Sequence, residues 1–218
     1  MNLNEAKLPV DWPPEQKQVD YSVRSGEPRA YFKELTDRLI EHVIQADAIV
    51  GCVAWFTNER ILSALSTLKG VSIIVQKEDF LRPDGPSSKQ QLRNFYAKLP
   101  SLYRSQFDGL VRELNYASLC SDPMGGVRCA GIRGGYSRCH HKFVVFCALV
   151  EGCLRPYGVW TGSFNFTNNA ERSFENAVYI ENHIISQAYF DEYSQIAALS
   201  EPLDWTHEYV EPEWRIGS

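Results

Sequence analysis

Two largely apolar runs, AIVGCVAWF at 48–56 and VSIIVQK at 71–77, flank a segment with helical punctuation. No other feature limits the fold as much. An apolar run without alternation belongs to a strand covered on both faces. Between the runs, Thr57 or Asn58 is placed to cap a short helix, NERILSALSTL, and Gly70 is placed to end it. Strand, helix and buried strand make a βαβ unit, so the expected class is α/β: a mixed, largely parallel central sheet flanked by helices on both faces.

The remaining segments fit that frame. PRAYFKELTDRLIEHVIQAD sets Phe32, Leu35, Leu39, Ile40, Val43 and Ile44 on one helical face, with Pro28 suited to the first turn. SSKQQLRNFYAKL (87–99) reads as a helix, and GGVRCAGIRGGYSR as a strand edge and loop. HKFVVFCALV, YGVWTGS and ENAVYIEN read as strands, the first two joined by a turn around Glu151 to Pro156, and a last amphipathic helix spans about 183–199. The expected organisation is an arm at 1–27, one domain at 28–199 and a tail at 200–218. No apolar run reaches the length of a membrane span and the N-terminus lacks the basic-then-apolar layout of a signal peptide, so the expected address is cytoplasmic, with the six cysteines reduced.

The net charge of −5 hides an asymmetry: residues 82–142 hold ten Lys or Arg against four acids, a local +6, which leaves −11 for the rest. A basic middle in an acidic chain suits a phosphate-bearing ligand on one face, and Arg93, Arg128, Arg133 and Arg138 are the candidate nucleic-acid contacts. A solvated basic loop accounts for the same charges. Tyr96, Tyr103, Phe107 and Tyr116 interleave with them, as base-stacking or as core aromatics. Cys120, Cys129 and Cys139, spaced by nine and ten residues, match no zinc finger and read as free thiols.

The chemistry lies in CHHKFVVFCALVEG (139–152) and WTGSFNFTNNA (160–170). On an extended backbone His140 and Lys142 share a face while His141 points away; Ser163 and Asn165 likewise share a face, after a glycine that allows close approach. If the two strands pair, an imidazole, an ammonium, a hydroxyl and a carboxamide converge. That set suits a tetrahedral phosphate: Lys and Asn hold oxygens while His attacks phosphorus or moves protons. No carboxylate cluster with metal-ligand spacing accompanies them, so this chemistry calls for no metal and no other cofactor.

HHK at 140–142, GSFNFTNNA at 162–170 and ENAVYIEN at 175–182 together resemble the phospholipase D superfamily, most of all its single-motif endonuclease branch. The resemblance covers about residues 28–199 and implies a phospholipase D-like fold. It implies His140 as the nucleophile of a covalent phosphohistidine, or, in a second copy, as the acid for the leaving oxygen. Lys142 and Asn165 would bind phosphate oxygens with Ser163 assisting, and Glu175 would orient His140. Cys147 stands where the family's signature has aspartate, and the stretch from Cys147 to Gly162 is longer than usual, read here as an extended turn at EGCLRPYG.

The family reaction uses two histidines, and His42, His141, His183 and His207 lack a lysine two residues on, so a homodimer is expected to supply the second motif. The expected activity is metal-independent cleavage of nucleic-acid phosphodiesters, DNA or RNA, without membrane binding. The alternatives are a phospholipid-headgroup phosphodiesterase and a catalytically weak nucleic-acid-binding module.

Overall fold

The computed structural model describes residues 27–78, 81, 90–107, 117–118, 123–131, 138–203 and 215–216. Nearly all of the N-terminal arm, together with Arg133, Tyr116 and Cys120, lies outside them. In chain order the described elements are β1 (Arg29–Tyr31), α1 (Leu35–Val43), β2 (Ala48–Val53), α2 (Glu59–Leu65), β3 (Gly70–Gln76), α3 (Gln90–Tyr96), β4 (Ala117–Ser118), β5 (Val127–Ala130), β6 (Lys142–Val150), β7 (Cys153–Gly162), β8 (Ala177–Ile180), α4 (His183–Ala198), β9 (Glu201–Pro202) and β10 (Arg215–Ile216). Eight strands form one sheet in the order β1-β8-β7-β6-β2-β3-β5-β9, and β4 pairs with β10 separately.

The α/β class and the helices on both faces hold, but the sheet is mostly antiparallel rather than largely parallel. Only β2 with β3 and β3 with β5 run parallel. The other five pairings are antiparallel. Burial on both faces removes the alternation that ordinarily marks an antiparallel strand. Residues on β6 show this directly: Val144 and Phe146 face a core with α1 and α2, whereas Phe143, Val145 and Cys147 face a second core with Phe190, Tyr193 and Ala197 of α4.

The segment after Pro28 is an edge strand, not the start of a helix. Tyr31 is buried and stacks on Trp160 at 5.3 Å and 16°, Phe32 is exposed, and residues 29–31 pair with Ala177–Tyr179 of β8. The helix waits until Leu35, behind Glu34 at φ 56°, and Ile44 lies beyond its buried face. Asn58 caps α2, its side chain accepting from the Arg60 and Ile61 amides. Gly70 opens β3 rather than ending α2. The expected long turn at EGCLRPYG is a two-residue turn at Glu151 and Gly152, both at positive φ, and the extra residues lengthen β7 past a bulge opposite Phe146 and Cys147. Glu201 and Pro202, in the segment read as a tail, extend the sheet beside Arg128 and Cys129.

His42 of α1 lies among Tyr31, Phe146, Trp160 and Tyr179, 3.7 Å from the Tyr179 ring centroid. Burial pushes its pKa from 6.5 down to about 4, with Arg29 adding to the shift and Glu41 opposing it. The native state thus holds His42 neutral where the unfolded chain takes up a proton. Its contribution is complete above the unfolded value of 6.5 and is lost as pH falls from there toward 4, by roughly 2 kcal/mol after solvent screening. Urea melts from pH 7 to 4, a window drawn around those values, should show a shallower acid loss in His42→Phe than in the wild type.

Candidate active site

The strands β2, β6, β7 and β8 come together at one end of the sheet. Val53 pairs with Lys142, Phe143 with Thr161, and Gly162 with Ala177. This register brings residues 140–142 alongside 162–165. A Cβ on Gly162 would stand 2.3 Å from the Asn176 carbonyl oxygen, so glycine is what lets β7 and β8 close at this point. Beyond it, the Ser163 amide donates to the Asn176 carbonyl at 3.1 Å, and the Asn176 amide donates to Ser163 Oγ at 3.1 Å. The Ser163 hydroxyl donates to the Glu175 carboxylate.

In GSFNFT, Phe164 and Phe166 are both buried, which leaves Asn165 on the other side of the chain. The Phe166 amide donates to the Trp55 carbonyl at 3.1 Å, and the Phe166 carbonyl accepts from the amides of Thr57 and Asn58. This clasp puts Asn165 and Trp55 on the walls of one cavity. Asn165 Oδ1 is buried with no hydrogen-bond partner, spare capacity of the kind found where a ligand completes the bonding.

Lys142 Nζ lies 3.0 Å from Nδ1 and 3.1 Å from Nε2 of His140 and donates to the His140 carbonyl at 2.8 Å. The Trp55 ring meets His140 edge-on at 5.6 Å and 84°, and Lys142 Nζ is 5.9 Å from its centroid. His141 points away, as alternation requires, with Nε2 3.5 Å from Glu192 Oε1. Partial desolvation lowers the His140 pKa, and Lys142, Arg138 and His141 lower it further. The neutral ring, which carries the attacking lone pair, is therefore favoured. Desolvation also lowers Lys142, against the pull of Glu175 and Cys139. Because the Lys142 charge disfavours protonation of His140, Lys142→Met is expected to raise the His140 pKa, which NMR titration of the ring would read.

His140 thus touches Lys142, Ser163 bonds Glu175, and the register of β6 with β7 sets the two pairs near each other, with Asn165 two residues beyond Ser163. The carboxylate of Glu175 is bonded to Ser163 and not to the imidazole that the resemblance assigned it to orient. Cys147 is fully buried among apolar side chains on the α4 face of β6, the face opposite to Lys142 and Val144. Its replacement of aspartate is a packing change in that core, and burial raises its thiol pKa.

The expected cationic contacts divide. Arg138 is exposed and its charge reaches His140. Arg128 is not a phosphate contact: it is fully buried and donates to Ser200 Oγ at 2.7 Å, the Ser200 carbonyl at 3.1 Å and the Met124 carbonyl at 3.2 Å. A guanidinium bound to carbonyls beyond the end of α4 ties that helix to β5. Arg93 lines a separate apolar cleft with Leu81, Leu92, Tyr96 and Leu203. Tyr96 is buried and donates to the Phe56 carbonyl, and Phe107 is buried as well, so neither is a stacking platform; Tyr103 is exposed. Cys129 sits against Glu201, and Cys139 is buried in the same core cluster as Cys52. Among the described residues no cluster of three or more His, Cys, Asp or Glu is placed to hold a metal ion.

Sequence reasoning passed over Trp55, counting it into a buried strand. The available signal was an aromatic residue past the last strand position, directly before a helix-cap segment.

No family model matches the chain. "Uncharacterized protein L381" of Acanthamoeba polyphaga mimivirus is 34% identical over an alignment of 191 residues that covers 81% of this chain and 67% of that protein. Among solved structures, NucT from Helicobacter pylori aligns with a TM-score of 0.53 and 15% identity over 81% of this chain and 98% of its own. Nuc from Salmonella typhimurium, described as a phospholipase D family member, aligns with a TM-score of 0.49 and 17% identity over 80% of this chain and 97% of its own.

Proposed function

From the premise that this chain belongs to one family with the mimivirus protein and has a phospholipase D-like fold, we propose that it is a phosphodiesterase that cleaves nucleic acid through a covalent phosphohistidine. The observation that carries the reading is the register of β6 with β7, which sets the His140–Lys142 pair alongside residues 162–165 at the ends of adjacent strands. The neutral imidazole of His140 attacks phosphorus, forming a P–N bond as the P–O bond to the leaving strand breaks. Lys142 and Asn165 hold the non-bridging oxygens as charge builds on them. The departing oxygen takes a proton from His140 of a second copy. That same ring then accepts a proton from water, whose oxygen attacks phosphorus and releases His140. Glu175 fixes the Ser163 hydroxyl beside the phosphate. Each copy supplies one histidine, so the enzyme acts as a homodimer with the two sites facing across the twofold axis.

Every group that attacks, protonates or holds oxygen in this scheme is a protein side chain. End-labelled single- and double-stranded oligonucleotides should therefore be cut in excess EDTA. The rate per mole of protein should fall when dilution takes the dimer apart. Cutting that EDTA abolishes and added divalent metal restores would refute the scheme. Nucleic-acid binding with no cutting in any condition would favour the binding-module alternative.

A further inference from the structure

A cavity of about 450 Å³ adjoins the reacting pair, within the roughly 300–1,000 Å³ of small-ligand clefts. Trp55 and Ala170 are its apolar residues; Asn165, Asn168 and Asn169 line it with amides, Thr57, Thr167 and Ser173 with hydroxyls, and Glu175 with a carboxylate. We propose that this cavity is a base-binding subsite, in which Trp55 stacks one unpaired nucleobase beside the scissile phosphate, so that the substrate is a single-stranded or locally unpaired strand. The proposal rests on the phosphodiesterase reading above and names its substrate class.

Four observations converge on it. Trp55 is half-buried and fixed, its carbonyl held by the Phe166 amide and its ring by the edge-on contact with His140, which fits a stacking platform that costs little entropy to use. Asn165 and Glu175 line the cavity, and Glu175 also bonds Ser163 and acts on the charge of Lys142, so a phosphate at His140 and Lys142 delivers its own nucleoside there. Among the described residues, the only charged side chain in the lining is a carboxylate, which repels a second phosphate but not a neutral ring. Three carboxamides offer donors and acceptors together, the pattern that base edges require. A base inside a duplex has its faces stacked and its pairing edge occupied, and cannot enter. A cationic lipid headgroup is disfavoured because the Lys142 ammonium already lies toward the Trp55 ring.

The test is fluorescence anisotropy with a labelled, phosphorothioate-linked twelve-nucleotide strand and the same strand built from abasic units, at fixed salt. The wild type is expected to bind the base-bearing strand about tenfold tighter or more. Trp55→Phe keeps most of that preference, and Trp55→Ala brings both strands to the affinity of the abasic one. Equal wild-type affinity for the two strands, or a preference that survives in Trp55→Ala, overturns the subsite. Displacement of the strand by phosphatidylcholine vesicles overturns it in favour of a lipid headgroup. If Trp55→Ala does not fold, the wild-type comparison of the two strands decides alone. Base-dependent binding without cutting of any oligonucleotide or of bis(4-nitrophenyl) phosphate would sink the phosphodiesterase reading and leave the subsite. Cutting indifferent to the presence of bases would sink the subsite and leave the reading.

Discussion

His140→Ala is expected to fold as the wild type does and to lose cleavage by about 10⁴-fold or more, because the proposed nucleophile and the proposed leaving-group acid are the same residue in the two copies and both are removed. His140 is exposed, and exposed substitutions away from special backbone features shift stability by about 0.5 kcal/mol or less. The loss is therefore catalytic rather than structural, and an unchanged melting temperature should accompany it. Asn165→Ala, which removes an oxygen-holding amide, should cost about 10² to 10³ in kcat. His141→Ala is the control next door: its ring lies 3.5 Å from Glu192, away from the site, and the variant should cut within a few-fold of the wild type. Turnover of a labelled strand with melting curves on the same preparations checks all three. A His140→Ala protein that keeps a tenth of the rate would contradict the assignment.

The largest effect on stability is expected at the opposite edge of the sheet. Lys77 is fully buried and its ammonium is paired with the carboxylate of Glu201, itself 3% exposed, with Cys129 against the same carboxylate oxygen. Removing one partner of a buried pair leaves an uncompensated charge out of water, so Glu201→Ala should destabilise the protein by about 3–5 kcal/mol in urea unfolding. The double variant Lys77→Met with Glu201→Leu should recover most of the loss, since apolar replacement of both partners removes the desolvation penalty along with the attraction. A Glu201→Ala protein within 1 kcal/mol of the wild type would show that Lys77 finds water or another partner there.

The βαβ unit was legible because β2 and β3 are mostly apolar and Asn58 carries a cap's side chain at the right place. Strand direction beyond that unit and the β6–β7 turn was not. The turn at Glu151 and Gly152 makes β6 antiparallel to β7, as the sequence already suggested, but β6 is apolar on both covered faces and nothing local marks its antiparallel pairing with β2. Arg29–Tyr31 runs directly into residues that satisfy a helical period from Phe32 onward, and what decides for strand is tertiary, the pairing with β8 and the contact of Tyr31 with Trp160, which no local pattern reveals.

The candidate site was read from two spacings of two residues, which alternation turns into shared faces. That argument holds for any strand and needs no fold. Arg128 shows where it stops. In composition a lysine- and arginine-rich stretch looks like a surface, but a guanidinium with carbonyl and hydroxyl acceptors at hand can be buried whole. The bonding of Glu175 to Ser163 is equally invisible in sequence, because it depends on how closely β7 and β8 approach at Gly162.

The central claim is a covalent histidine intermediate, and the stereochemistry at phosphorus tests it most directly. A strand with one phosphorothioate linkage of defined configuration would be cleaved in ¹⁸O-enriched water and the configuration of the product determined. Attack by His140 followed by attack of water inverts phosphorus twice, so the account predicts overall retention. Net inversion, the mark of a single direct attack by water, would contradict it.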